Sequence, residues 1–432
     1  MCSCLSALIG MRISLHYNME PIIVWILSFL AISGVIIRPF KVPEVIWAVA
    51  GALLLVVTGQ LSPAAGITGI ARGTDVYLFL TGMMLLAETA REEKLFDWLA
   101  AHATRLAKGS AGRLFFLIYG VGTLVTIFLS NDATAVVLTP AVAAAMRAAK
   151  VEKPLPYLLI CAFIANAASF VLPISNPANL VIYGNHMPGL WEWLHSYILP
   201  SLFSIGVTYW VLRFTQRDAL KQPIETNIPV PVLSAGGKMA LSGIAVTAVI
   251  LLAASALDIP LGLPTAVTGT LTSLLVIIRA KKNPWVVVKG VSWSVLPLVA
   301  GLFVIVEALG KTGVLQLVIE KLHQSAAHSV AGATWGSGVV VALASNLMNN
   351  LPVGLMAGTA VQAGPVPEMV KSSILIGVDL GPNLSITGSL ATILWLVALR
   401  REGQTVSAWT FLKLGVWVMT AALLCAIGAL WL

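Results

Sequence analysis

The sequence predicts an all-α polytopic membrane protein made of two inverted-topology repeats, each five transmembrane helices plus a re-entrant hairpin, with broken helices at the midplane. Three observations predict it: scarce charge, one-sided placement of the cations, and four matched polar breaks in long apolar segments. Charged residues make up 10% of the 432 and apolar types 58%, with a mean hydropathy of +0.92. An ordinary soluble domain is about 25% charged. A soluble fold of this size cannot hide so much apolar surface, so lipid is the solvent for much of the chain. The formal charge of +8 is scattered between apolar runs. That is the pattern of cytoplasmic loops, and no nucleic-acid partner is expected from it.

Segments that could span lie near 21–37, 44–58, 75–90, 155–183, 196–213, 238–257, 260–278, 291–309, 369–399 and 408–431. Two further apolar stretches, 113–146 and 331–362, carry polar, helix-breaking centres: Ser130-Asn131-Asp132 in the first and Asn349-Asn350-Leu351-Pro352 in the second. Threading both as re-entrant hairpins leaves only Arg12, Arg72, Lys311, Lys321 and Lys371 of the 26 Lys and Arg residues outside. This is the asymmetry of the positive-inside rule; threading either stretch straight across would put basic clusters on the wrong side.

The resulting organisation is a tail at 1–20, a first repeat at 21–214, a cytoplasmic linker at 215–237 with Pro223, Pro229 and Pro231, and a second, inverted repeat at 238–432. Both termini are expected outside the cytoplasm, in a bacterial cytoplasmic (inner) membrane. The tail carries Arg12, His16 and Glu20 and no small-residue cleavage site. Traces of the repeat survive in sequence. Gly82 and Glu88 recur as Gly301 and Glu307, 219 residues on, each followed by a short amphipathic stretch (95–106 and 314–323). Asn131 and Asn349 lie 218 apart, one residue off that register.

Backbone that leaves the helix inside a bilayer survives only where it lines a cavity or meets protein. Besides the two hairpin tips, breaks occur at Pro173–Asn179 and Asp379–Ser389. Paired interruptions in corresponding places point to a midplane substrate site. A proline kink explains one such break; it does not explain four matched ones rich in Asn and Ser. The candidate substrate-binding residues are therefore Ser130, Asn131, Ser175, Asn176, Asn179, Asn349, Asn350, Asn383, Ser385, Thr387 and Ser389. Intramembrane carboxyls are costly and functional by default. Asp132 and Asp379 sit on the broken elements, where desolvation favours proton exchange, and are the candidate proton-coupling residues. Glu88 and Glu307 are second-rank candidates, with Arg91 and Lys311 near enough to pair with them.

What is missing narrows the chemistry. No Lys or Arg lies in any break, whereas a dicarboxylate or phosphate carrier should offer cations or helix N-termini. Amides and hydroxyls suit a neutral hydrogen-bonding solute or a bare cation. The four cysteines, Cys2, Cys4, Cys161 and Cys425, show no metal-ligand spacing, so no fixed metal and no cofactor is expected. Gly310-Lys311-Thr312 resembles the end of a phosphate loop, but Ile305 stands where a Gly is required. With no HExxH or GxSxG motif either, the chain reads as a secondary transporter rather than an enzyme.

At Phe128–Pro140, Met348–Pro352 and Asp379–Pro382 through Gly388–Thr392, the chain resembles the ArsB-type arsenite/antimonite efflux permeases of the Ion Transporter superfamily. The likeness runs from about residue 20 to the C-terminus. It implies efflux of trivalent arsenic and antimony driven by proton entry, arsenical resistance, and an elevator-like movement of the hairpins and broken helices. It also implies, in some members, a soluble arsenite-stimulated ATPase subunit. The sequence leaves that partner, and a homodimer as against a monomer, open. Pro177 stands where the family pattern suggests an aliphatic residue. Arsenous acid is a small uncharged trihydroxide near neutral pH, which amides and hydroxyls can hold without a counter-charge. The competing readings are a sodium/proton antiporter of the same superfamily and a passive metalloid channel.

Overall fold

A computed structural model describes residues 20–184, 187–226, 228 and 230–432. The expected tail, with Cys2, Cys4 and Arg12, lies outside the described residues except for Glu20. Among the described residues the chain is helical, with no β-structure beyond one isolated bridge between Ser110 and Pro223.

The first half runs through α1 (Pro21–Ile37), α2 (Glu44–Val57), α3 (Pro63–Arg72), α4 (Thr74–Glu92), α5 (Leu95–Leu106) and α6 (Ala111–Phe128). Then come α7 (Asn131–Ala133), continued by a π-helical segment (Thr134–Leu138) into α8 (Thr139–Ala148), and α9 (Leu155–Ala167). A 3-10 turn (Pro173–Ser175), α10 (Pro177–Tyr183) and α11 (Leu190–Thr215) complete it. The second half repeats the order: α12 (Ala235–Ala256), α13 (Gly262–Ala280), α14 (Pro284–Gly290), α15 (Val295–Gly310), α16 (Val314–His328) and α17 (Val330–Met348). It ends with α18 (Asn350–Gln362), α19 (Glu368–Leu380), a 3-10 turn (Gly381–Leu384), α20 (Leu390–Arg401) and α21 (Ala408–Gly428).

Seven of the described helices, with α14 and α15 counted as one, are long and apolar enough to cross a bilayer, or eight if α3 and α4, bent by 48°, form one span; two of the seven, α6 and α17, are the first arms of the expected hairpins rather than expected spans. Of the remaining expected spans, α1 and α2 are shorter apolar helices, and 155–183 and 369–399 are each divided at their breaks. The short helices α3 and α14 were not legible as separate elements. Each opens with Pro in its first turn behind a side-chain cap, Ser62 or Asn283, which fixes its start.

Both hairpins fold back on themselves. Thr126 and Thr134 flank the first tip with their hydroxyl oxygens 2.8 Å apart; in a straight helix, residues eight apart are separated by about 12 Å. The turn is made at Ser130, whose backbone is extended, and at Asn349, which takes φ +72°. The stretch 215–237 is strapped to one face. Lys153 N–H donates to Gln222, Gln222 Nε2 donates back to the Lys153 carbonyl, and Glu225 N–H donates to the Ala149 carbonyl. With the Ser110–Pro223 bridge, these contacts bring the start of α6 and the end of α8 to the same face.

The halves interlock through small residues. A methyl group on Gly82 of α4 would come within 2.1 Å of the Thr265 carbonyl oxygen of α13. One on Gly301 of α15 would come within 2.9 Å of the Ala48 carbonyl oxygen of α2. Each half's α4 or α15 therefore packs against the second helix of the other half at backbone contact distance, as small residues permit between helices in lipid.

Candidate functional site

Four helices begin at the centre of the molecule: α7, α10, α18 and α20. Each has a polar cap directly before its first residue. Ser130 Oγ accepts from Ala133 N–H at 3.2 Å, Asn176 Oδ1 from Ala178 N–H at 3.0 Å, Asn349 Oδ1 from Leu351 N–H at 3.3 Å, and Ser389 Oγ from Thr392 N–H at 3.1 Å. These caps are why the sequence breaks here: a side chain that satisfies an orphan N–H competes with continuing the helix. The partial positive ends of the helices converge on the same space.

That space is a narrow central cavity bordered by Asn131 and Asp132 of the first tip, Asn350 and Leu351 of the second, Asn176-Pro177 and Ser389 through Ala391 of the two broken spans, and Leu80 and Val295. Among these lining residues, none is Lys or Arg. Asp132 also borders a second cavity, lined by Met83, Met84, Glu88, Ser130 and Gly290. Among the described residues its carboxylate has no hydrogen-bond or ion-pair partner; only its backbone N–H is bonded, to Asn131 Oδ1 at 2.9 Å.

Asp379 sits elsewhere. It is fully buried behind the cavity wall, with Oδ1 2.8 Å from Asn176 Nδ2 and Oδ2 2.8 Å from Ser169 Oγ. Asn176 thus faces the cavity on one side and Asp379 on the other.

The other expected site residues divide between wall and support. Ser130, Asn131, Asn176, Asn350 and Ser389 border the two cavities. Ser175 donates to the Ile127 carbonyl, and Asn179 Nδ2 donates to the Ser169 carbonyl inside its own break. Asn383 donates to the Phe163 carbonyl, while Ser385 and Thr387 bind the Asn346 side chain and carbonyl. Asn349 is the cap of α18 rather than a wall residue. Since Ser130 and Asn349 are both caps, Asn131 corresponds to Asn350 and Asp132 to Leu351. This brings the tips into the 219-residue register of Gly82 and Gly301, and corrects the pairing of Asn131 with Asn349.

The second-rank carboxylates stand at equivalent places. Glu88 pairs with Arg91 and presses against Gly290 of the other half. Glu307 bonds Arg72 of the other half at 2.6 Å, with Lys311 only at 4.0 Å, so Arg72 rather than Lys311 is its main partner. Glu307 borders a wider cavity with Arg72, Thr359 and Gln362.

Sequence reasoning missed three supports: Asn166, Ser169 and Asn346. Asn166 is a buried hub whose Nδ2 donates to Asn383 Oδ1 at 3.0 Å and to Thr392 Oγ1 at 3.3 Å, and whose Oδ1 accepts from Ser389 Oγ at 3.3 Å. Asn346 Nδ2 donates to the Gly381 carbonyl at 2.9 Å. The available signal was a lone Asn within an otherwise apolar helix, with no break to mark it.

Relatives share most of the length. The arsenical pump membrane protein of Escherichia coli strain K12 is 27% identical over 401 residues, covering 89% of this chain and 92% of its own length. That of Yersinia enterocolitica is 27% identical over 350 residues, covering 78% and 82%. Among solved structures, the YdaH transporter of Alcanivorax borkumensis superposes with a TM-score of 0.54 at 13% identity, covering 87% of this chain and 89% of that one, which speaks to the fold alone. The family model described as citrate transporter, CitMHS, matches residues 23–379. With that match spanning most of the chain, the protein is a multi-pass membrane transporter belonging to the CitMHS citrate transporter family of the Ion Transporter superfamily.

Proposed function

We propose that this chain exports arsenite and antimonite, as neutral trihydroxides, in exchange for protons, and that Asp132 carries the exchanged proton. The observation that carries the reading is the central cavity: amides, a hydroxyl and one carboxyl without a partner, and no Lys or Arg among its lining residues. The arsenical pump relatives support the substrate class. Citrate, the solute in the family's description, fits the cavity poorly. A substrate carboxylate about 4 Å from an ionised Asp132 is opposed by about 4 kcal/mol at an effective dielectric of 20. A trihydroxide meets no such opposition and can both donate to Asp132 and accept from Asn131, Asn176 and Asn350.

Proton and substrate then compete for one group. A protonated Asp132 offers one fewer acceptor to the solute's hydroxyls, so loading of the proton favours release. Export of a neutral solute against one entering proton is electrogenic and uses the full proton-motive force. In this reading the two halves are inverted. The cation distribution puts the Glu88 cavity toward the cytoplasm and the Glu307 cavity outside. The hairpins and broken helices then move against the interlocked α2, α4, α13 and α15.

The test is arsenite uptake into everted membrane vesicles energised by respiration. Wild-type vesicles should accumulate arsenite without added Na⁺, and Asp132→Asn should abolish accumulation above equilibrium. A strict Na⁺ requirement, or an unaltered Asp132→Asn, would overturn the reading.

A further inference from the structure

Two short contacts at Ser169 fix a proton count. Its Oγ lies 2.7 Å from the Asn166 carbonyl oxygen and 2.8 Å from Asp379 Oδ2. Oxygen atoms at such distances need a proton between them. A serine hydroxyl has one, and a carbonyl has none to give. The Asn166 contact therefore takes the hydroxyl proton, and the contact to Asp379 needs a second, which only the carboxyl can supply. The other carboxyl oxygen accepts from Asn176 Nδ2 at 2.8 Å, as the C=O of a neutral acid does.

The surroundings agree. Asp379 belongs to none of the ion pairs among the described residues. The helices α9, α10, α17 and α18, packed against α19, contain no Asp, Glu, Lys, Arg or His. On α19 itself, Glu368 and Lys371 lie at the opposite end and pair with each other. Of the other helices against it, α21 carries Lys413, which lies over the Trp409 ring, and α11 carries Glu192, His195 and Arg213 toward its ends.

We infer that Asp379 is a neutral acid throughout the transport cycle and acts as a positioning residue. It donates to Ser169, holds Asn176 in the cavity wall, and leaves the exchanged proton to Asp132 rather than to both aspartates. Two neutral hydrogen bonds replace a buried charge that nothing would balance. The transport readouts below rest on the proposed arsenite–proton exchange; the spectroscopic one does not.

Infrared spectra of the full chain in lipid should contain a protonated-carboxyl C=O band that Asp379→Asn removes. The band should persist across the pH range of transport and on addition of arsenite. Ser169→Ala, which keeps the acid but deletes its acceptor, should shift the band without removing it. In everted vesicles Asp379→Asn, whose amide can donate to Ser169 and accept from Asn176, should transport within about threefold of wild type. Its pH profile and proton-to-arsenite ratio should be unchanged. Asp379→Leu, which strands Asn176, should lose on the order of tenfold. A band that titrates with pH or disappears with substrate would overturn the assignment, as would an Asp379→Asn protein that moves arsenite without protons. If wild-type vesicles fail to move arsenite at all, the proposed function falls, and the infrared band alone decides the state of Asp379.

Discussion

Two aspartates at membrane depth have opposite surroundings. Asp132 borders two cavities and its carboxylate has no partner among the described residues; Asp379 is sealed away with both oxygens bonded. Sequence ranked the two together, because each lies on a broken element and composition does not tell which way a side chain faces. Asn166 was invisible for a different reason. It stands in the unbroken α9, and its partners Asn383, Ser389 and Thr392 are more than 200 residues away. Replacing it leaves Asn383 Oδ1 without a partner and takes one bond each from Ser389 and Thr392, which keep their bond to each other. Asn166→Ala should destabilise the protein by about 1–3 kcal/mol, read as a lowered thermal unfolding midpoint in detergent. An unchanged midpoint would mean those groups find other partners.

Among the elements, the four helix starts were legible because their caps are written in the chain as Ser and Asn beside Pro and Gly. The hairpins were legible through their polar centres, Ser130-Asn131-Asp132 and Asn349-Asn350-Leu351-Pro352, where the chain turns back. Register was less secure. The tips were aligned by their Asn residues, but the caps Ser130 and Asn349 set the correspondence, and they leave the second tip with Leu351 opposite Asp132. The interlocking of α4 with α13 and of α15 with α2 was not legible at all, because Gly82 and Gly301 in isolation do not name their partners. The close approach itself gives a prediction. Gly82→Leu would drive a side chain into the Thr265 backbone, and overpacking of that kind costs about 1–3 kcal/mol or more. The expected outcome is a clear fall in the amount of folded protein recovered from membranes. The same change at Gly120, which has open space around it, should leave recovery unaltered.

For the whole molecule, the repeated order of elements produces two equivalent cavities that differ in chemistry. The one at Glu88 adjoins the acidic tip, while the one at Glu307 meets Leu355 of α18 and is bridged by Arg72. One scaffold thus carries a carboxyl at one tip only, the difference on which the proposed exchange of one proton for one neutral solute rests. A passive channel would need no such difference. The most direct test is to impose an outward-directed proton gradient, lumen acidic, on everted vesicles and follow arsenite and proton movement together. The account predicts arsenite accumulation above the outside concentration, a matching proton flux, and loss of both with a protonophore or with Asp132→Asn. Arsenite that only equilibrates, with no associated proton movement, would contradict it.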